Sequence, residues 1–199
     1  MIFWALSLCF ASPRLRYEEE LETKIMNRCF VELEQGNHRE AEKILKAFSA
    51  EVFPSDKIYY NTGLFYNQQG DLERAKVYYD RSIEINGAQF SALYDRAELL
   101  ILEGKLSEAK QDLKVLIAQE QEHWAIYFRM AEIAAKEGNG QQMELYLLDA
   151  IKRNLTLEIL VGDLVTWRAI AKDPQLSPYL HRIFMVMAEE KLWKELLSD

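Results

Sequence analysis

Apolar residues recur along this chain at the three- and four-residue spacing of helix faces, and the faces themselves recur further along. Tyr59, Thr62, Gly63 and Tyr66 share one face at helical spacing, and Ala75, Tyr79 and Ile83 share another. Gly70-Asp71 breaks the pattern between them. A glycine can take the left-handed conformation that ends a helix, and an aspartate can cap the first free N–H groups of the next. The stretch therefore predicts a helix, a tight turn and a second helix. Gly36-Asn37 and Gly138-Asn139 repeat the punctuation. Gly104-Lys105 keeps the glycine but lacks a capping side chain, for which Ser107 is the expected substitute.

These features share one period. Gly36, Gly70, Gly104 and Gly138 are each 34 residues apart, as are Ala41, Ala75, Ala109 and Met143, and Ile25, Tyr59, Leu93 and Tyr127. Three series with one interval mark an internal repeat, each copy one supersecondary unit. The units run near 22–55, 56–89, 90–123 and 124–157. Gly63, Ala97 and Ala131 in the first helices, with Ala41, Ala75 and Ala109 in the second, let the two helices of a pair approach closely. Tyr66, Tyr79, Leu100 and Leu113 are expected to fill the space between units. Gly140 is expected to loosen the turn of the fourth.

With these residues in place the chain resembles the tetratricopeptide-repeat family. Residues 56–89 carry its pattern through Tyr59, Gly63, Tyr66, Ala75 and Tyr79, with Thr62 in place of the usual leucine and Gly87 in place of the usual proline. Residues 90–123 carry it through Leu93, Ala97, Leu100, Ala109 and Leu113. Residues 124–157 carry it through Tyr127, Ala131, Leu147 and Ala150, with Met143 replacing an alanine. In residues 22–55, Arg28 and Glu32 occupy usually apolar places, as befits a terminal unit with a polar outer face. The resemblance implies an all-α fold: a right-handed α-solenoid of about four tetratricopeptide helix pairs over residues 12–157, with a C-terminal helical cap at 158–199. In that cap Pro174 and Pro178 interrupt one helix and start the next. Trp167, Ile170, Leu180, Ile183, Phe184, Met187, Leu192 and Trp193 supply its apolar surface.

Charge and reactive residues narrow the function. A net charge of −8 argues against a nucleic-acid backbone as partner, which needs clustered Lys and Arg. The two cysteines, Cys9 and Cys29, make no disulfide framework if the leader carrying Cys9 is removed. His38, His123 and His181 fall in different segments, without metal-ligand spacing. Neither a phosphate-binding glycine loop nor a nucleophile elbow occurs. The expectation is a non-catalytic protein that needs no cofactor and no metal.

Residues Ile2 to Ala11 form an apolar run of ten. A bilayer-spanning helix needs about 20 residues, so no membrane span is expected. The length suits the apolar core of a secretory signal, with Cys9-Phe10-Ala11 as its exit. Residues 1–11 are therefore read as a signal segment cleaved before Ser12, and the protein as exported or periplasmic. Alternatives are a cytoplasmic protein whose run caps the first helix, and a lipid anchor at Cys9. Leu8 departs from the small residue that such an anchor site carries.

The family resemblance also implies a site, since the first helix of each unit lines a concave groove. Met26, Tyr60, Tyr94 and Phe128 occupy equivalent places there. Asn27, Asn61, Asp95 and Arg129 stand beside them, and Phe30, Leu64, Glu98 and Glu132 follow one turn on. Two readings stay open: a ladder that binds a protein or peptide, or aromatics that pack neighbouring helices. A carboxylate clamp of the kind that grips peptide tails needs Lys and Asn where Met26 and Phe30, or Tyr60 and Leu64, stand; only Asn61 agrees. The expected function is a protein-interaction scaffold that binds its partner in this groove. The alternative is an exported accessory subunit of a bacterial envelope or transport complex, with an architectural role.

Overall fold

Four turns of the same design divide the helices. Gly36, Gly70, Gly104 and Gly138 all adopt positive φ, from 73° to 76°. After each, the next residue's N–H reaches back five residues: Asn37 to Glu32, Asp71 to Tyr66, Lys105 to Leu100 and Asn139 to Ala134, at 2.8–2.9 Å. This closure satisfies helix-end carbonyls and needs a left-handed residue at the glycine. Asp71 and Asn139 then cap the following helices through Arg74 N and Gln142 N, both at 3.0 Å. Lys105 holds the third cap position without a side-chain capping bond.

The computed structural model describes residues 13–51, 55–119, 122–156, 159–160 and 164–187. The described structure is all-α. The helices are α1 (Pro13–Glu34), α2 (His38–Glu51), α3 (Asp56–Gln68), α4 (Leu72–Ile85), α5 (Phe90–Leu102), α6 (Leu106–Ala118), α7 (Trp124–Lys136), α8 (Gly140–Lys152), α9 (Leu164–Lys172) and α10 (Ser177–Val186). Residues 1–11, with their expected signal, and Leu192 and Trp193 of the expected tail stripe lie outside the described residues. The chain divides after Ala92 into two units.

In the first unit α1 pairs with α2 and α3 with α4. The repeat alanines lie at 0 % exposure, Ala41 on α2 and Ala75 on α4. Gly63 of α3 shows why small residues recur opposite them. A Cβ there would sit 2.5 Å from the ring of Tyr79, itself fully buried on α4. Burying a side chain of that size is worth about 1.5–3 kcal/mol, and the glycine admits it. Glu42 of α2 accepts the Tyr66 hydroxyl at 2.7 Å, which ties the first pair to the second. Ser82 and Asn86 at the end of α4 donate to Asp56 at the start of α3, both at 2.7 Å.

In the second unit α7 and α8 pack as a pair, and the C-terminal helices add to it. Ala131, Met143 and Leu147 share one apolar cluster with Trp167 and Ile170 of α9 and with Leu180 and Phe184 of α10. Gly140 is not a loosened turn. It is the buried first residue of α8, and a Cβ on it would lie 2.3 Å from the ring of Tyr179. Its missing side chain is the seat of α10. Beside it Arg182 holds Glu144 through two bonds of 2.6 Å.

Candidate functional site

The expected ladder falls partly in each unit. In the first, Met26 and Phe30 lie on α1 and Tyr60, Asn61 and Leu64 on α3. Met26, Tyr60, Asn61 and Leu64 are half-buried, and Phe30 is 47 % exposed. Tyr60 rests its ring on that of Tyr79, 5.8 Å away and 26° from parallel. One side of the ring is thereby seated on core, while the residue keeps access to solvent. Asn61 donates its amide to the carbonyl of Lys57, one turn back on its own helix, at 2.8 Å. The result is an apolar surface with an aromatic fixed in place, the kind of group enriched at binding hot spots.

In the second unit Tyr94, Asp95 and Glu98 lie on α5 and Phe128, Arg129 and Glu132 on α7. Arg129 gathers most of them. Its Nε donates to Glu98 at 2.8 Å and to the Tyr94 hydroxyl at 3.3 Å. One terminal nitrogen donates to the same Glu98 oxygen and the other to Glu132 at 2.9 Å. Lys136 reaches the second Glu132 oxygen at 3.8 Å. Burial opposes the guanidinium's charge, but Tyr94, Glu98 and Glu132 outweigh it and hold its protonation above the ordinary range. Burial, with the neighbouring Glu98 charge, pushes the Tyr94 phenol up to about 12. A closed network of this kind keeps its geometry because every charge has a partner.

Phe128 departs from the ladder expectation. It is 4 % exposed, with its ring 5.3 Å from that of Trp167 and 6.2 Å from that of Trp124. The C-terminal helices cover it, so it is core. Arg129 is engaged by two carboxylates and a phenol, so its charge is compensated within the unit. Sequence reasoning missed Lys136, Tyr79 beneath Tyr60 and Trp167 over Phe128. A signal for the network was present: Arg129 stands 34 residues after Asp95, so the charge at that place inverts from one repeat to the next.

Cys29 is buried, donates to the Ala41 carbonyl at 3.9 Å, and has its thiol pKa raised by burial, as in an inert thiol. Among the described residues no three His, Cys, Asp or Glu side chains converge as for a metal ion, and no helix is long and apolar enough to cross a membrane.

Residues 56–89 match the family model of the tetratricopeptide repeat. Over 81 residues the chain is 36 % identical to the photosystem I assembly protein Ycf3 of Acaryochloris marina, a match that takes in 39 % of this chain and 49 % of that one. The protein of the same description from Rippkaea orientalis is 28 % identical over 102 residues, or 48 % of this chain and 59 % of that one. The chain thus spans about half the length of the curated relatives it matches. A solved tetratricopeptide repeat protein of Parabacteroides merdae superposes with a TM-score of 0.66 at 17 % identity, covering 87 % of this chain and 70 % of that one. At that identity the likeness shows the fold alone.

Proposed function

The chain is a tetratricopeptide-repeat protein, and from that premise we propose that it is a non-catalytic scaffold holding a partner protein or peptide against the first helices of its pairs. Such repeats are interaction modules, and the matches indicate no enzyme family. The carrying observation is in the first unit. Phe30 is nearly half exposed, and Tyr60 is fixed on Tyr79 yet accessible, with Met26 and Leu64 half-buried. An accessible aromatic seated on core gives contact area at little entropic cost. The partner segment lies along these residues, in the groove that first helices line in this family. In the second unit Tyr94 and Glu98, pinned by Arg129 above the buried Glu132, offer a preorganised polar surface, and Asp95 stands beside them.

The test is retention of partners from native cells by the wild-type chain and by Phe30→Ala/Tyr60→Ala, with circular dichroism to confirm folding. The double variant is expected to lose its main partner by about tenfold or more, as hot-spot truncations of 1.4 kcal/mol or above do. Equal retention by the folded variant overturns the site.

A second reading has its own support: the chain is an accessory factor in building a multi-subunit complex. The partial similarity to photosystem I assembly proteins favours it. On the sequence pattern from Ile2 to Ala11 it is an exported one, in an envelope or transport complex. Co-purification with a stable membrane complex, together with a mature N-terminus at Ser12, is the result that this reading requires.

A further inference from the structure

The first helix pair carries a recess that the scaffold reading does not use. It has a volume of about 440 Å³ and lies between α1 and α2, lined by Lys24, Ile25, Arg28, Lys43 and Ile44, with Glu40 and Ala47 completing it. Ile25 is 7 % exposed and Ile44 half-buried, so the floor is apolar.

The 34-residue register shows what such a face is built to receive. Lys24 and Arg28 correspond to Ile58 and Thr62, which are only 2 % and 1 % exposed. In the second pair α2 of the preceding pair runs alongside this face. Glu42 bonds Tyr66 at 2.7 Å and pairs with Arg74 at 3.7 Å, and the His38 ring lies 6.4 Å from that of Phe65. In the second pair the first-helix side of this face is thus buried next to the preceding helix. On the first pair no described residue covers it, and two buried positions have become cations one helical turn apart.

Lys43 pairs with Glu40 at 3.1 Å, whereas among the described residues Lys24 and Arg28 have neither an ion-pair nor a hydrogen-bond partner. Three cations thus face one carboxylate around an apolar floor, in a chain of net charge −8. We infer that this face is a second docking surface, and that its occupant is an amphipathic helix of a partner protein, apolar on its inner side and carrying carboxylates on its flank. The recess has the register of a helix–helix contact, which distinguishes it from a flat basic patch for a lipid surface. Lys24 and Arg28, four residues apart, match carboxylates placed four apart on the incoming helix.

The experiment uses the full chain and a labelled synthetic helix of about 15 residues, near the shortest length stable alone, with a leucine–alanine ridge and flanking Glu. A second probe replaces each Glu by Lys. Fluorescence anisotropy is expected to show binding of the Glu probe that weakens as salt rises. Lys24→Glu/Arg28→Glu should weaken it by about tenfold or more and should gain affinity for the Lys probe. That gain needs a folded recess, so it separates charge reversal from unfolding. The Glu probe should still bind after Tyr60→Ala, which places it away from the first-helix ladder. A benzophenone side chain introduced at position 47 should cross-link the probe. The inference is overturned by equal binding of both probes, by unchanged affinity in the double variant, by loss of binding with Tyr60→Ala, by cross-linking from position 47 to residues 1–12 of the same chain, or by capture of anionic vesicles without capture of the probe.

Discussion

Tyr94 and Tyr60 occupy the same place in successive repeats but work differently. Tyr60 is anchored through its ring, on Tyr79, and Tyr94 through its hydroxyl, in the Arg129 network. Removing each should therefore leave a different trace. Tyr60→Ala removes a half-buried ring and leaves Tyr79 in place. Its cost should stay below about 2 kcal/mol, the low end of core truncations, as read from a denaturant melt. Tyr94→Phe keeps the ring and deletes the hydroxyl with its 3.3 Å bond to Arg129, at about 0.5–1.5 kcal/mol for that bond. The phenol of Tyr94 is raised from 10.0 to about 12 in the folded state. A raised folded value means stability that is whole below the unfolded value and is lost as pH rises through the folded one. Alkaline titration by phenolate absorbance should show a late-ionising tyrosine that disappears in Tyr94→Phe. If that variant titrates like the wild type, the network does not hold Tyr94 as described.

Between elements, the docking of α10 on α8 rests on an absent side chain. A Cβ at Gly140 would press into the Tyr179 ring at 2.3–2.9 Å. Gly140→Ala should therefore cost about 1–3 kcal/mol, as overpacking does, and raise hydrogen exchange in α9 and α10 above that in α4. Tyr179→Ala in the same chain should remove much of the extra penalty, because the two positions touch. Glu144 adds a pH dependence to this contact. Its bonds to Arg182 hold the carboxyl below its ordinary 4.5. A depressed folded value means stability present above the unfolded value and lost as pH falls through the folded one. Exchange in α10 should rise on acidification below that point, and Glu144→Gln should flatten the response. An unchanged acid profile in that variant would assign the effect to other carboxylates.

For the molecule as a whole, the C-terminal pair completes a core. Trp167, Leu180 and Phe184 are all at 0 % exposure and share a cluster with Leu147 and Phe128, with Tyr146 and Ile151 packed at its edge. Deleting residues 158–199 would return several large side chains to water. At about 1.5–3 kcal/mol for each, the loss rivals a typical total stability of about 5–15 kcal/mol. The truncated chain should melt far earlier or aggregate. Unchanged melting and solubility would show that α9 and α10 are an appendage. The same deletion uncovers Phe128, so a partner that binds more tightly to the truncated chain would mark Phe128 as a latent ligand contact.

What was legible in the sequence is what depends on local chemistry repeated at a fixed interval. The left-handed turns at Gly36, Gly70, Gly104 and Gly138 and the buried Ala41, Ala75 and Ala109 follow from backbone freedom and side-chain volume, both properties of the residue and its near neighbours. Helix pairing and fold class come with them. The state of each side chain at the expected site was settled by residues far away in the chain. Phe128 and Tyr94 share a repeat position, yet Phe128 is closed off by Trp167, 39 residues on, while Tyr94 meets Arg129, 35 residues on. Gly140 reads as a weak turn until Tyr179 lies over it. A repeat predicts which position faces which direction. Burial and charge pairing depend on what arrives to cover that position, and only the tertiary structure decides that.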